Sequence, residues 1–290
     1  MSDPRPSIME PGPWLAHYTT AATAFEYIVP SGQLRLSPYR VMRDPAENED
    51  IFFGTAFFGS REDPQEQWER GLAEFKLLRD RVRLLSLTQD VDYGTGVRGR
   101  FGCCWARPRV WEQYADAHRG VCLVFRRDAL VEAITDALGA EHVRLNEVRY
   151  TPEGIAGSRS LWVVTDTRLH KAETRKEAIE AYVADNYDDL FFLKADDWAT
   201  EHEFRALLID VDDEYAFASY ANALHAVVLG KDFPDWQIPG AVAMAEARGV
   251  ELKKAFWDKG RPLALNPARA QAEIAGDAAE AAAERLSRSG

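Results

Sequence analysis

Segments with the two-residue period of strands alternate along this chain with segments of helical period, and no unit is repeated. The spacing predicts a strand over Trp14–Tyr18, then a helix over Ala21–Val29 capped by Thr19 or Thr20 and closed by Gly32. A half-buried strand follows at Gln33–Ser37. Asp63-Pro64 opens a helix running to Arg81, and strands are expected at Val82–Thr88, Val121–Phe125 and His142–Tyr150. Gly94–Arg100 reads as a glycine-rich loop, Arg109–Ala117 as a short helix and Arg127–Leu138 as a longer one. Thr174–Leu193 reads as a long helix, followed by strands at Glu203–Ile209 and Ala226–Leu229. The expected organisation is an extended proline-rich arm over residues 1–13, one α+β domain over 14–265, and an Ala/Glu-rich C-terminal helix over 266–290.

Composition narrows the function classes. With 46% hydrophobic residues over 290 positions, the chain can bury a full core. A net charge of -12 argues against a surface built wholly for nucleic acid. Arg98, Arg100, Arg107 and Arg109 nonetheless form a local basic run beside Phe101, Trp105 and Trp111, which suits a phosphate-bearing ligand or a solvated loop. Three cysteines, Cys103, Cys104 and Cys122, make neither a disulfide framework nor a four-ligand zinc site. The six histidines lack metal-ligand spacing, so no metal is expected. No apolar run reaches the ~20 residues of a membrane span, and Met1–Pro13 lacks the layout of a secretory signal, so a cytoplasmic protein with no membrane partner is expected. No P-loop or GxGxxG occurs, which disfavours a kinase or a Rossmann dehydrogenase.

Three segments carry candidate chemistry. Leu15-Ala16-His17-Tyr18-Thr19-Thr20 places a histidine at a strand end, where it is suited to a ribose hydroxyl or to a purely structural role beside a helix cap. In Cys103 to Cys122, Trp111 and Tyr114 fall three apart on one helix face, positioned to stack on an aromatic ring or to fill the core. In Trp198-Ala199-Thr200-Glu201-His202-Glu203-Phe204-Arg205, the strand period puts Glu201, Glu203 and Arg205 on one face. A carboxylate there can stabilise an oxocarbenium-like sugar while the arginine keeps it ionised; the alternative is a solvent-facing strand edge.

The order of these motifs resembles a family called domain of unknown function 2971. It is carried by His17-Tyr18-Thr19, Ser31-Gly32 with Leu34-Arg35-Leu36-Ser37, Asp44-Pro45 with Glu47, Trp111 and Tyr114-Ala115 with His118 and Gly120, and Trp198 with Glu201, Glu203 and Arg205. The likeness spans residues 14 to 230; Arg43 stands where the family's pattern has Asn. That family in turn looks like a divergent branch of the ADP-ribosyltransferase fold, which implies split antiparallel β-sheets around an NAD cleft with flanking helices. The resemblance further implies NAD as co-substrate, with His17 on the adenosine-side ribose, Thr19 beside the nicotinamide amide, and Tyr18, Arg107, Trp111 and Tyr114 among the cofactor-binding residues. Tyr39 and Trp105 stay open as alternatives for the stacking aromatic. Glu203 would bond the 2′-hydroxyl of the nicotinamide ribose, and Glu201 would orient or deprotonate the acceptor.

The expected function is therefore ADP-ribosyl transfer from NAD to a macromolecular acceptor, protein or nucleic acid, in a toxin or phage-defence setting with an antitoxin or a second copy of the chain as partner. NAD hydrolysis, and a non-catalytic nucleotide- or protein-binding module on the same fold, are the alternatives.

Overall fold

The computed structural model describes residues 7–48, 54–56, 63, 65–66, 69, 73, 76, 79–157, 163–165, 174–209 and 215–267. In chain order its strands are β1 (Trp14–Thr19), β2 (Gln33–Pro38), β3 (Gly54–Ala56), β4 (Arg83–Gln89), β5 (Val121–Arg126), β6 (Val143–Glu147), β7 (Arg149–Thr151), β8 (Val163–Thr165), β9 (Leu193–Ala195), β10 (Glu203–Leu208), β11 (Ala216–Ser219), β12 (Leu224–Leu229), β13 (Glu251–Asp258) and β14 (Arg261–Leu265). Helices used below are α1 (Pro108–Tyr114), α2 (Arg127–Leu138), α3 (Arg175–Phe191) and α4 (Ile238–Arg248). The fold is mixed α+β with mostly antiparallel pairing. The chain divides into two compact units, one of residues 1–33, 87–133 and 220–290, the other of residues 34–86 and 134–219.

In the first unit the strand order is β4-β1-β5-β12-β13-β14, with β4 contributing its C-terminal end. Pairing is antiparallel except between β12 and β13. β1 and β5 align from Trp14↔Arg126 to Thr19↔Val121. β5 is buried over Val121–Phe125 because the sheet covers it on both edges and packs on both faces. One core gathers Trp14, Ala16 and Tyr18 from β1 with Cys103, Cys104, Trp105, Val110, Trp111 and Cys122. Ile8 belongs to that core, and its carbonyl accepts the Trp105 indole N–H at 2.6 Å. Thr20 Oγ1 caps the helical segment after β1 by accepting the Thr23 N–H, and Gly32 closes it at φ 71°, a left-handed value that glycine adopts without strain.

In the second unit β11-β2-β4 lie side by side, β10 pairs with β4 and antiparallel with β6, and short parallel pairs join β7 to β9 and β3 to β8. α3 starts at a capping box in which Thr174 Oγ1 accepts the Glu177 N–H and Glu177 returns a carboxylate to the Thr174 N–H, each at 3.2 Å. Its apolar face, with Ala178, Tyr182, Val183, Leu190 and Phe191, packs on Tyr39, Val82, Leu84 and Leu207.

Several expected elements change on folding. Gly94–Arg100 is in part helical, over Gly96–Arg100. The strand expected over His142–Tyr150 is interrupted at Val148, whose N–H turns to the Glu203 carbonyl at 2.9 Å. The helix expected over Arg109–Ala117 ends at Tyr114, and Asp116, Ala117 and His118 instead adopt φ of 48°, 49° and 67°. Of the helix expected over 64–81, the described positions 65, 66, 69, 73, 76, 79 and 80 are helical. The C-terminal helix expected over 266–290 lies outside the described residues beyond Pro267. Among the described residues, no helix is long and apolar enough to cross a membrane.

Gly230 seats the end of β12 against the 116–118 turn: a Cβ there would lie 1.9 Å from the His118 carbonyl oxygen. Gly230→Ala is expected to lower stability by about 1–3 kcal/mol through backbone displacement, measured as a fall in the denaturant midpoint with an unchanged slope.

Candidate functional site

The densest cluster of buried charge sits in the second unit. β10 is buried at all six positions, so the charged side chains of Glu203 and Arg205 leave water together on one face of the strand. Their pairing is bidentate: Arg205 Nε donates to Glu203 Oε1 at 2.7 Å and Nη2 to Oε2 at 3.0 Å. Arg205 also donates to the Phe191 carbonyl, and its Nη2 lies 2.6 Å from Glu47 Oε1, a charge contact without hydrogen-bond alignment. From β9, Lys194 Nζ donates to Glu203 Oε2 at 3.2 Å and to Glu201 Oε2 at 3.0 Å, and sits 4.5 Å from the Trp198 ring centroid. The Tyr150 hydroxyl accepts the Glu203 N–H at 2.9 Å, fixing the start of the strand.

Burial alone would raise the Glu203 pKa, but Arg205 and then Lys194 outweigh it and hold the carboxyl at about 2, against an ordinary 4.5. Burial would lower Lys194, but Glu203, Glu47 and Glu201 overcome it and keep the ammonium charged. Glu47 moves the other way. Its burial exceeds the pull of Arg205 and Lys194, and its pKa rises. Tyr39 is fully buried near Glu47 and Arg205, and among the described residues its hydroxyl finds no hydrogen-bond partner.

The strand period does not by itself place Glu201. It ends a 3-10 turn over Asp196–Glu201, and His202 at φ 44° and ψ 56° reverses the chain before β10 begins. Lys194 is what brings the two carboxylates together, and neither lies on a solvent-facing edge: their side chains are 10% and 4% exposed. Lys194 escapes sequence reasoning because a three-residue strand carries no period, and a lysine in it gives no sign of burial. Glu47 was visible only as part of the Asp44-Pro45-x-Glu47 motif.

The remaining candidates lie in the first unit. His17 and Thr19 alternate with Tyr18 along β1, so they face the opposite side of the sheet from it. Tyr18 is buried, its hydroxyl donates to the Cys104 carbonyl, and its ring meets Trp111 edge-on at 5.0 Å. Arg107 is buried too, with Nη1 and Nη2 donating to the carbonyls of Phe101 and Gly102 at 3.0 Å each, so the Arg98–Arg109 run is not a set of four free guanidiniums. Trp105 and Trp111 are fully buried and Tyr114 partly so. Trp111 Nε1 donates to the Trp105 carbonyl at 2.7 Å. Tyr39, the other alternative for the stacking ring, is in the second unit with Glu201 and Glu203. The thiols of Cys103, Cys104 and Cys122 are all raised by burial, Cys103 to about 12, which keeps them protonated. Among the described residues no group of three or more His, Cys, Asp or Glu is arranged to hold a metal ion.

A family profile described as "Protein of unknown function (DUF2971)" matches residues 110–206, a span that holds α1 from Val110 onward, the 116–118 turn, Lys194, Glu201, Glu203 and Arg205. No curated protein and no solved structure matches the chain.

The ion cluster makes stability depend on acid in a defined direction. Glu203 has a depressed folded pKa, so its contribution is complete above the ordinary 4.5 and is lost as pH falls towards about 2. Glu47, being raised, titrates above 4.5 and opposes it there. Chemical denaturation of the wild type is expected to show a steep loss of stability between pH 4.5 and 2 that is flattened in Glu203→Gln. Arg205→Met, which leaves Glu203 with Lys194 alone and takes the guanidinium away from Glu47, is expected to cost about 3–5 kcal/mol at neutral pH.

Proposed function

We propose that the chain is an NAD-dependent ADP-ribosyltransferase in which Glu203 stabilises the nicotinamide ribose as its glycosidic bond breaks. The observation that carries this reading is the carboxylate pair held by Lys194, one member of which, Glu203, stays ionised down to about pH 2. A fixed, charged carboxylate favours a cationic sugar over the neutral ground state, which is the condition for catalysis. The C1′–N bond breaks with its electron pair leaving on nicotinamide. The acceptor's nucleophilic atom forms the new bond to C1′, and its proton passes to Glu201. Glu203 Oε2 is shared by Arg205 Nη2 and Lys194 Nζ, so with substrate bound the ribose 2′-hydroxyl replaces Lys194 there while Arg205 stays in place. Water in place of the acceptor makes the same chemistry a hydrolase.

A second reading, a non-catalytic nucleotide- or protein-binding module, is favoured by one observation: both oxygens of Glu203 are already engaged by cations and its side chain is 4% exposed. In that reading the cluster only fixes β10 against β9.

The two readings separate on incubation of wild type and Glu203→Gln with adenine-labelled NAD and cell lysate. Transfer predicts label on a protein or nucleic-acid fraction, and nicotinamide release about 10²–10³-fold slower in Glu203→Gln, both variants being checked by thermal melting for an intact fold. Release without label identifies the hydrolase, and no release at all removes Glu203 from catalysis.

A further inference from the structure

We infer that the His118 imidazole is a built-in plug, occupying a slot between Trp111 and Trp257 that opens to receive a planar nitrogen-heteroaromatic ring. Three observations in the first unit converge on it.

The first is backbone strain. Asp116, Ala117 and His118 are three consecutive non-glycine residues in the left-handed region, where L side chains crowd the following carbonyl. Such conformations persist only where the surroundings over-determine them, and they concentrate at ligand clamps and switches. Here the surroundings are explicit. His118 N–H reaches back to the Trp111 carbonyl at 3.4 Å, Gly120 N–H to Ala115 at 2.8 Å, and the His118 carbonyl accepts Asp232 N–H at 3.1 Å. A Cβ on Gly120 would lie 2.3 Å from the Thr19 carbonyl oxygen, so the turn is pressed against the end of β1 as well as that of β12.

The second is what the strain holds in place. The imidazole lies parallel to the Trp111 indole, with centroids 6.2 Å apart and planes at 13°, and meets Trp257 edge-on at 5.6 Å. Both contacts lie within the range of favourable aromatic pairs, one offset-parallel and one edge-to-face. The third is an unmet polar atom: His118 Nδ1 is buried and, among the described residues, has no hydrogen-bond partner. At the outer edge Nε2 faces Glu112 at 3.8 Å, with Lys231 and Asp232 also in its field. A ring stacks well here, but this ring leaves a nitrogen unsatisfied and needs a strained turn to reach its place. Withdrawal of the turn recovers both costs and leaves a slot of the same shape and chemistry between the two tryptophans. Asp116 and Ala117 are exposed, so the turn has open space to move into.

The choice of purine and pyridine as probe rings rests on the NAD reading; the slot does not. Calorimetric titration of the full chain with adenosine and, separately, with nicotinamide reads binding without turnover, so failure here leaves the role of Glu203 untouched and the reverse also holds. Wild type is expected to bind one of the two, which identifies the ring class. His118→Ala, with the plug removed, is expected to bind it at least tenfold more tightly, and Trp257→Leu to lose it. Ala117→Gly changes only an exposed methyl but makes the left-handed turn easy, so it is expected to melt higher and bind the ring several-fold more weakly. A merely structural histidine predicts no link between turn strain and affinity. Wild type binding neither ring, His118→Ala binding no more tightly, or Ala117→Gly with unchanged affinity would each overturn the proposal.

Discussion

Arg205 is the constraint on which the second unit turns. A guanidinium with 1% side-chain exposure cannot be neutralised, so every group around it must answer its charge. Glu203 does so with both oxygens, Glu47 with one, and the Phe191 carbonyl from the end of α3 takes a further N–H. The elements that supply these partners, β10, the turn at Pro45–Asn48 and the C-terminal end of α3, are thereby tied to one planar fork. Replacing such a cluster with apolar residues often costs nothing in stability, whereas removing one member is expensive. The cluster therefore says more about specificity of arrangement than about raw stability.

Lys194 gives that arrangement its asymmetry. It shares its ammonium between Glu201 and Glu203 at nearly equal distances, so a small displacement of Lys194 changes which carboxylate is compensated. His202, left-handed and between the two, lets Glu201 reach the same cation although it precedes the strand. With its own side chain 5% exposed, Lys194 needs an answering charge, and the two carboxylates supply it together.

Much of this was legible in the sequence, for reasons that can be named. β5 and α2 follow one another with a clean change of period at Arg126–Arg127, and α3 begins where Thr174 and Glu177 spell a capping box. Gly32 marks a helix end because the chain turns left-handed there and glycine does so at no steric cost. Illegible elements were those too short to show a period, β3, β8 and β9, and the β13–β14 hairpin, where Glu251 to Asp258 places Lys253 and Lys254 in mid-strand and Lys254 is buried against Asp235 and the Phe233 carbonyl. Of the candidate site, the Glu203–Arg205 pair was readable from the two-residue period, while the cation that joins Glu201 to it was not. The aromatic residues singled out near α1 proved to be spread over roles the sequence cannot distinguish: Trp105 and Trp111 fill the core and donate to carbonyls, and Tyr114 is only partly covered.

The turn after α1 shows why local reading fails where it does. Ala115-Asp116-Ala117-His118 continues a plausible helix, and nothing in those four residues asks for left-handed backbone. What holds it is remote: Gly120 and Gly230 let the turn lie closely against the ends of β1 and β12, and the Asp232 N–H captures the His118 carbonyl. Sequences in which each local preference agrees with the fold reach it easily, and natural chains depart from that agreement mainly where another demand intervenes. Here the departure costs about 1–2 kcal/mol for each left-handed residue, and it delivers one imidazole between two indoles. Glycine at all three positions would have made the same turn without strain, and the chain uses glycine freely at Gly32, Gly249 and Gly260 for that purpose. The retained strain is thus a property of these residues rather than a necessity of the fold.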